Sequence, residues 1–260
     1  IRDFLATPGQ CKIFTPNPEM VVKAQKDEYF KKVLNSGDLN ICDGFGLWLA
    51  IRLSSFLSSR HPHIVIPTSQ EESLSQSPTD RDPSSLRSLG MTTERIPGVD
   101  FMLEICQIVE ETGKSIFLLG TEKEETLEKT VKELQAKFPR LKIAGYDTGP
   151  VISNCHPERS EGSLKVINKI NQSGTEILFV AFGMGKQEKW ISKNLAKIPR
   201  IKIAMGVGGS FDYISGVIPR APLFMRRIGL EWMYRLIRQP KRFWRIFNAT
   251  FKFMFLLIKQ

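Results

Sequence analysis

Two apolar runs, each ending in a cluster of glycines, narrow what this chain can fold into. Ile177 to Phe182 runs into Gly183-Met184-Gly185, with Lys186-Gln187-Glu188 behind it. Ile201 to Met205 runs into Gly206-Val207-Gly208-Gly209, with Asp212 behind it. Both read as strands that feed a glycine turn. In a parallel sheet such turns sit at the carboxyl ends of the strands, where open α/β sheets bind ligands. Glycine lets a backbone approach a ligand closely and leaves N–H groups free to face phosphate.

The same alternation recurs upstream. Lys12 to Thr15 reads as a strand, followed by the turn TPNPEM and a helix over Val21 to Leu34. Pro16 and Pro18 fix the backbone on both sides of Asn17, and Pro18-Glu19 suits a helix start. Leu39 to Cys42 reads as a strand ending in Asp43-Gly44-Phe45-Gly46, with a helix beginning over Leu47 to Leu53. Val99 to Val109, Glu124 to Phe138 and Leu164 to Asn171 have helical spacing, while Ser115 to Leu119 and Leu141 to Ala144 are strand-like. Alternating strands and helices predict an α/β fold. The expected architecture is a Rossmann-like, mostly parallel sheet with right-handed crossovers and helices on both faces.

Two stretches break the pattern. Residues 58–92 are rich in Ser, Pro and charge, and residues 153–163 (SNCHPERSEGS) interrupt again. Both read as disordered insertions in a core spanning 1–222. The chain opens on Ile1 rather than Met, and its first ten residues look like the end of an element already under way, so an N-terminal truncation is expected.

Charge is uneven. Of the net +10 over 260 residues, residues 220–260 contribute +9, with ten Lys or Arg against the single acid Glu231. Residues 223–260 read as a basic, apolar helical appendage broken at Pro240. It lacks the ~18 consecutive apolar residues of a spanning helix. Interleaved cations and aromatics fit a helix lying in a membrane interface, with docking on its own domain or a partner, or a re-entrant end, as alternatives. The local basic character suggests an anionic surface or a phosphate-bearing ligand. Four scattered cysteines without CxxC spacing, and no visible signal peptide, fit reduced thiols and a cytoplasmic setting.

Candidate chemistry sits at the strand ends. Asp43 can act as a general base or as a helix N-cap. Thr15 and Asn17 occupy the equivalent end of the neighbouring strand, where turn chemistry is the alternative. Gln187 and Glu188 offer hydrogen bonds to a uracil edge, a ribose or a sugar, or form an exposed helix start. Gly206, Gly208 and Gly209 can cradle a diphosphate, although they match neither GxGxxG nor a P-loop. Asp212 can position a ligand or cap a helix. Arg220, Arg235, Arg242 and Arg245 can neutralise phosphates or form a solvated basic face. Asp80-Arg81-Asp82 is set aside because it lies in the first insertion. Cys155-His156 and His61/His63 lack the further ligands zinc requires. No metal site and no cofactor are expected.

In order and type, seven strings resemble the WecG/TagA/CpsF family of bacterial glycosyltransferases: TPNPEM, LNICDGFGLWLA, ERIPGVDF, IFLLGTEKE with FPRLKIAG, FVAFGMGKQEKW, GVGGSFDYISGVIPRAP and GLEWMYRLIRQPKRFWR. Together they cover nearly the whole chain outside the two insertions. The resemblance implies an inverting enzyme that moves an N-acetylmannosamine-type sugar from a UDP-sugar to undecaprenyl-diphosphate-linked N-acetylglucosamine. The product would enter teichoic acid, common antigen or capsule assembly. By resemblance Asp43 is the catalytic base, Thr15 and Asn17 belong to the active-site motif, and Arg95 is the arginine of the ERxxG block. Gln187 lies near the nucleotide-sugar, and Arg235, Arg242 and Arg245 close over the diphosphate. The appendage would hold the protein peripherally on the anionic cytoplasmic face of the inner or plasma membrane, with no nucleic acid as partner. One departure is Gly185, where the family usually has proline. Two other readings exist: an inactive nucleotide- or lipid-binding relative, and a nucleic-acid binder that uses the basic C-terminal stripe.

Overall fold

The computed structural model describes residues 1–43, 47, 96–121, 123–149, 161–227, 231, 233–234 and 252–253. The chain divides into two compact units, Ile1–Phe14 with Gly98–Arg220 and Thr15–Pro97 with Ala221–Gln260.

The first unit is a parallel α/β layer. Its strands are β1 (Cys11–Phe14), β3 (Ser115–Gly120), β4 (Lys142–Asp147), β5 (Ile177–Ala181) and β6 (Ile203–Gly206), in the order β1-β6-β5-β3-β4. Every pairing among these five is parallel. The central strand β5 is buried at all five positions, and β3 at all but its first. That burial explains their unbroken apolar sequence.

The helices of this unit are α1 (Arg2–Ala6), α4 (Gly98–Thr112), α5 (Glu124–Lys137), α6 (Glu161–Ser173), α7 (Lys186–Asn194) and α8 (Ser210–Ile214). The α4 helix buries Val99, Phe101, Met102, Ile105, Cys106 and Val109, a stripe at helical spacing. The α5 helix buries Thr126 and Thr130 beside Leu127 and Leu134. The Thr130 hydroxyl is shared between the carbonyls of Thr126 (2.7 Å) and Phe211 (3.2 Å), which secures α5 to α8. On the other side, α7 packs against β6, β5 and β1. Asn171 of α6 donates to the Lys197 carbonyl in the 3₁₀ turn after α7. Right-handed crossovers account for the two groups. The step from β3 to β4 and the steps from β4 to β5 to β6 run in opposite directions along the sheet, so their helices cover opposite faces.

The second unit contains α2 (Pro18–Ala24), α3 (Glu28–Asn35), the short strand β2 (Leu39–Asn40) and α9 (Leu223–Arg227). The single helix expected over Val21 to Leu34 is two helices. The first ends at Ala24 with Gln25 as its C-cap, and Asp27 caps the second, its carboxylate accepting the Phe30 N–H at 2.8 Å. Cys42, Leu47 and Phe253 form a buried cluster with Val21 and Val22 against it. Phe253 of the C-terminal segment therefore docks on its own unit. The end of the second expected insertion is ordered, since α6 begins at Glu161. The first insertion, residues 153–160 and the break at Pro240 lie outside the described residues, as do Asp80 to Asp82, His61, His63 and Cys155-His156.

Candidate active site

The strand order of the first unit contains a reversal of the kind at which open α/β sheets bind ligands. From β3 the chain steps outward to β4, and from β5 it steps the other way to β6. The connection direction therefore reverses between β3 and β5, the topological switch point where open α/β sheets bind ligands beyond their carboxyl ends. Thr121 follows β3 at φ +74°, a left-handed conformation uncommon for a β-branched residue. Its N–H donates to the Ala181 carbonyl at the end of β5 (3.2 Å). Next along the sheet, the Val207 N–H donates to the Val180 carbonyl at 2.8 Å, which ties the turn after β6 to the end of β5.

Gln187 and Glu188 open α7, and both are buried, at 3% and 0% exposure, rather than forming an exposed helix start. The Gln187 side chain crosses to the turn after β6, where its Oε1 accepts the Gly208 N–H at 3.0 Å. Its Nε2 donates to Glu188 Oε1 at 2.8 Å, and Glu188 Oε2 accepts the Gly185 N–H at 2.6 Å. Gly185 stands at φ +81°, a value the proline ring forbids, and its N–H is donated. A proline at position 185 would fit neither this φ nor this hydrogen bond. With Val207 and Gly208 committed, Gly209 is the member of the turn whose N–H has no partner among the described residues. Asp212 lies within α8 rather than at its cap, and its carbonyl accepts the Ile218 N–H and the Ser215 hydroxyl.

Arg220 holds Asp100 of α4 through two parallel bonds of 2.6 Å each, Nη1 to Oδ1 and Nη2 to Oδ2. This fork fixes the guanidinium as a bidentate pair does. Nothing in the sequence signals a partner 120 residues away, so the pairing of Arg220 with Asp100 was not legible there.

The second unit brings Thr15, Asn17 and Asp43 together. The Asp43 N–H donates to the Pro16 carbonyl at 3.0 Å, so the segment Thr15-Pro16-Asn17 and Asp43 are direct neighbours. Thr15 is buried and Asp43 half-buried. Asn17 caps α2, its Oδ1 accepting the Met20 N–H at 3.0 Å. Asp43 precedes the helical residue Leu47 by four positions. Arg95, Arg235, Arg242 and Arg245 lie outside the described residues, as do Gly44, Phe45 and Gly46. Among the described residues no cluster of three or more His, Cys, Asp or Glu could hold a metal ion.

The model of the glycosyl transferase WecG/TagA/CpsF family matches residues 1–68 and 85–260. The chain belongs to this family. The break in the match, 69–84, falls inside the Ser/Pro-rich stretch. Among curated relatives, the N-acetylglucosaminyldiphosphoundecaprenol N-acetyl-beta-D-mannosaminyltransferase of Bacillus subtilis strain 168 is 30% identical over 248 residues, which is 95% of this chain and 79% of the relative. The enzyme of the same name from Bacillus spizizenii is equally similar over the same shares. That from Staphylococcus aureus strain MW2 is 25% identical over 95% of this chain and 80% of its own. As a WecG/TagA/CpsF glycosyltransferase, the chain carries its strand-end turns and its Asp43 segment in the order its sequence blocks predict.

Proposed function

We propose that this glycosyltransferase moves an N-acetylmannosamine-type sugar from a UDP-sugar to N-acetylglucosamine carried on undecaprenyl diphosphate, inverting the anomeric centre in a single displacement. The relatives' printed names support donor sugar and acceptor. The observation that carries the mechanism is Asp43, half-buried beside Thr15 and Asn17 at a strand end. Its carboxylate takes the proton of the acceptor 4-hydroxyl as that oxygen bonds to the anomeric carbon. The bond from that carbon to the β-phosphate oxygen breaks, and UDP leaves as the anion.

The leaving diphosphate is met by the turn Gly206–Gly209 and by arginines, Arg95, Arg235, Arg242 and Arg245 among them, a preorganised electrostatic role. Gln187 and Asp212 order the donor end, and Arg220 acts from its fork on Asp100. Thr15 and Asn17 line the catalytic end. No cofactor takes part.

Among the described residues no helix is long and apolar enough to cross a membrane. Leu223 and Phe224 of α9 are 62% and 65% exposed and lie on the same short helix as Arg226 and Arg227. Apolar and cationic groups side by side suit an anionic membrane surface, where the lipid acceptor resides. The protein would sit peripherally on the cytoplasmic face.

The test is UDP release from UDP-N-acetylmannosamine with and without a short-chain lipid-diphosphate N-acetylglucosamine. Acceptor-dependent release that persists in EDTA is expected. Folded protein that releases no UDP from any of a panel of UDP-sugars contradicts the proposal.

A further inference from the structure

Three hydrogen bonds form a continuous buried relay between the glycine turns after β5 and β6. Gly185 N–H reaches Glu188 Oε2, Gln187 Nε2 reaches Glu188 Oε1, and Gly208 N–H reaches Gln187 Oε1. A glutamate at the third position of a helix ordinarily serves the cap N–H alone. Here its second oxygen is turned onto an amide, and that amide is gripped from both ends. A backbone N–H demands the amide oxygen and a carboxylate demands the amide nitrogen, so only one orientation satisfies both. Gly206 leaves room for the crossing, since a Cβ there would lie 2.8 Å from Gln187 Nε2.

We propose that Glu188 is a positioning residue of the donor site. Through Gln187 it sets the backbone of both turns, and with it the affinity for the nucleotide diphosphate. The inference rests on the reading that the donor occupies these turns. The relay joins loops rather than core elements. Donors aimed at a charged ligand gain from being held before the ligand arrives.

Donor–acceptor logic supplies a sharp test. Glu188→Gln keeps the shape but leaves an NH₂ facing either the Gly185 N–H or the Gln187 NH₂. Gln187→Glu sets two carboxylates against each other. The double exchange Gln187→Glu/Glu188→Gln satisfies all three bonds again, with the middle donor reversed. Donor KM, acceptor KM and calorimetric UDP affinity would be measured for all four proteins, with thermal unfolding alongside.

Each single variant should raise donor KM and UDP Kd about tenfold or more, as loss of a bond to a charged group does, with acceptor KM changed by less than about threefold. The double variant, with all three bonds restored, should bind the donor more tightly than either single variant, while the carboxylate at position 187 keeps it short of wild type. A merely structural role would lower the unfolding temperature and leave both KM values alone. Wild-type donor KM in folded Glu188→Gln, or a double variant no better than the singles, overturns the inference. Should one single variant fail to fold, the double variant is compared with the other, and a donor KM no lower than that single variant's overturns the inference. Wild-type protein that binds no UDP overturns the donor reading and this inference with it. Wild-type binding shared by Glu188→Gln overturns the inference alone.

Discussion

Asp43 carries the greatest chemical weight of any single side chain in this account, and its neighbourhood is simple. Its N–H is bound to the Pro16 carbonyl. In folded Asp43→Asn protein turnover should fall by roughly 10²–10⁴, the range for a lost general base. Unchanged turnover would remove Asp43 from the mechanism. Cys106 is the contrasting residue. Burial pushes its thiol up to about 12, against a smaller opposing pull from Lys137. The unfolded chain loses this proton near the ordinary thiol value of 9.0 and the folded chain only near 12, so above pH 9 the unfolded state binds fewer protons. The stability contribution is full below pH 9 and declines between pH 9 and 12. Denaturation midpoints measured across that range should fall less steeply in Cys106→Ala than in wild type.

At the scale of elements, Asn17 has two assignments that one substitution can separate. It caps α2, and Asn17→Ala should cost about 1 kcal/mol in urea unfolding, as cap removal does. Asn17→Ser retains a capping oxygen and should recover most of that stability. Activity that stays low in Asn17→Ser despite recovered stability assigns Asn17 to the substrate, and activity that recovers with stability assigns it to the helix alone. The strands were legible because β3 and β5 are buried at nearly every position, leaving an unbroken apolar run in the sequence. The break between α2 and α3 was not, since Asp27 reads equally well as an exposed helical residue until its carboxylate is seen on the Phe30 N–H. The glycine turns were legible as turns. What they do to one another was not, because Gln187 and Gly208 are 21 residues apart and only the alignment of β5 with β6 makes them neighbours.

At the scale of the molecule, the candidate residues belong to two units. The first holds the glycine turns, Gln187, Glu188 and the Arg220–Asp100 fork, and the second holds Thr15, Asn17 and Asp43. The second unit is assembled from distant parts of the chain, with Phe253 buried against Cys42 and Leu47. The sequence pattern could show that the C-terminal segment was apolar and basic, but not that Phe253 turns inward while Leu223 and Phe224 turn outward. The central claim is a single displacement at the anomeric carbon onto a lipid-linked hydroxyl. Its most direct measurement is the anomeric configuration of the product, read by the one-bond carbon–hydrogen coupling at the transferred sugar. An α-linked UDP-sugar should yield a β-linked disaccharide on the lipid diphosphate. An α-linked product would contradict the account.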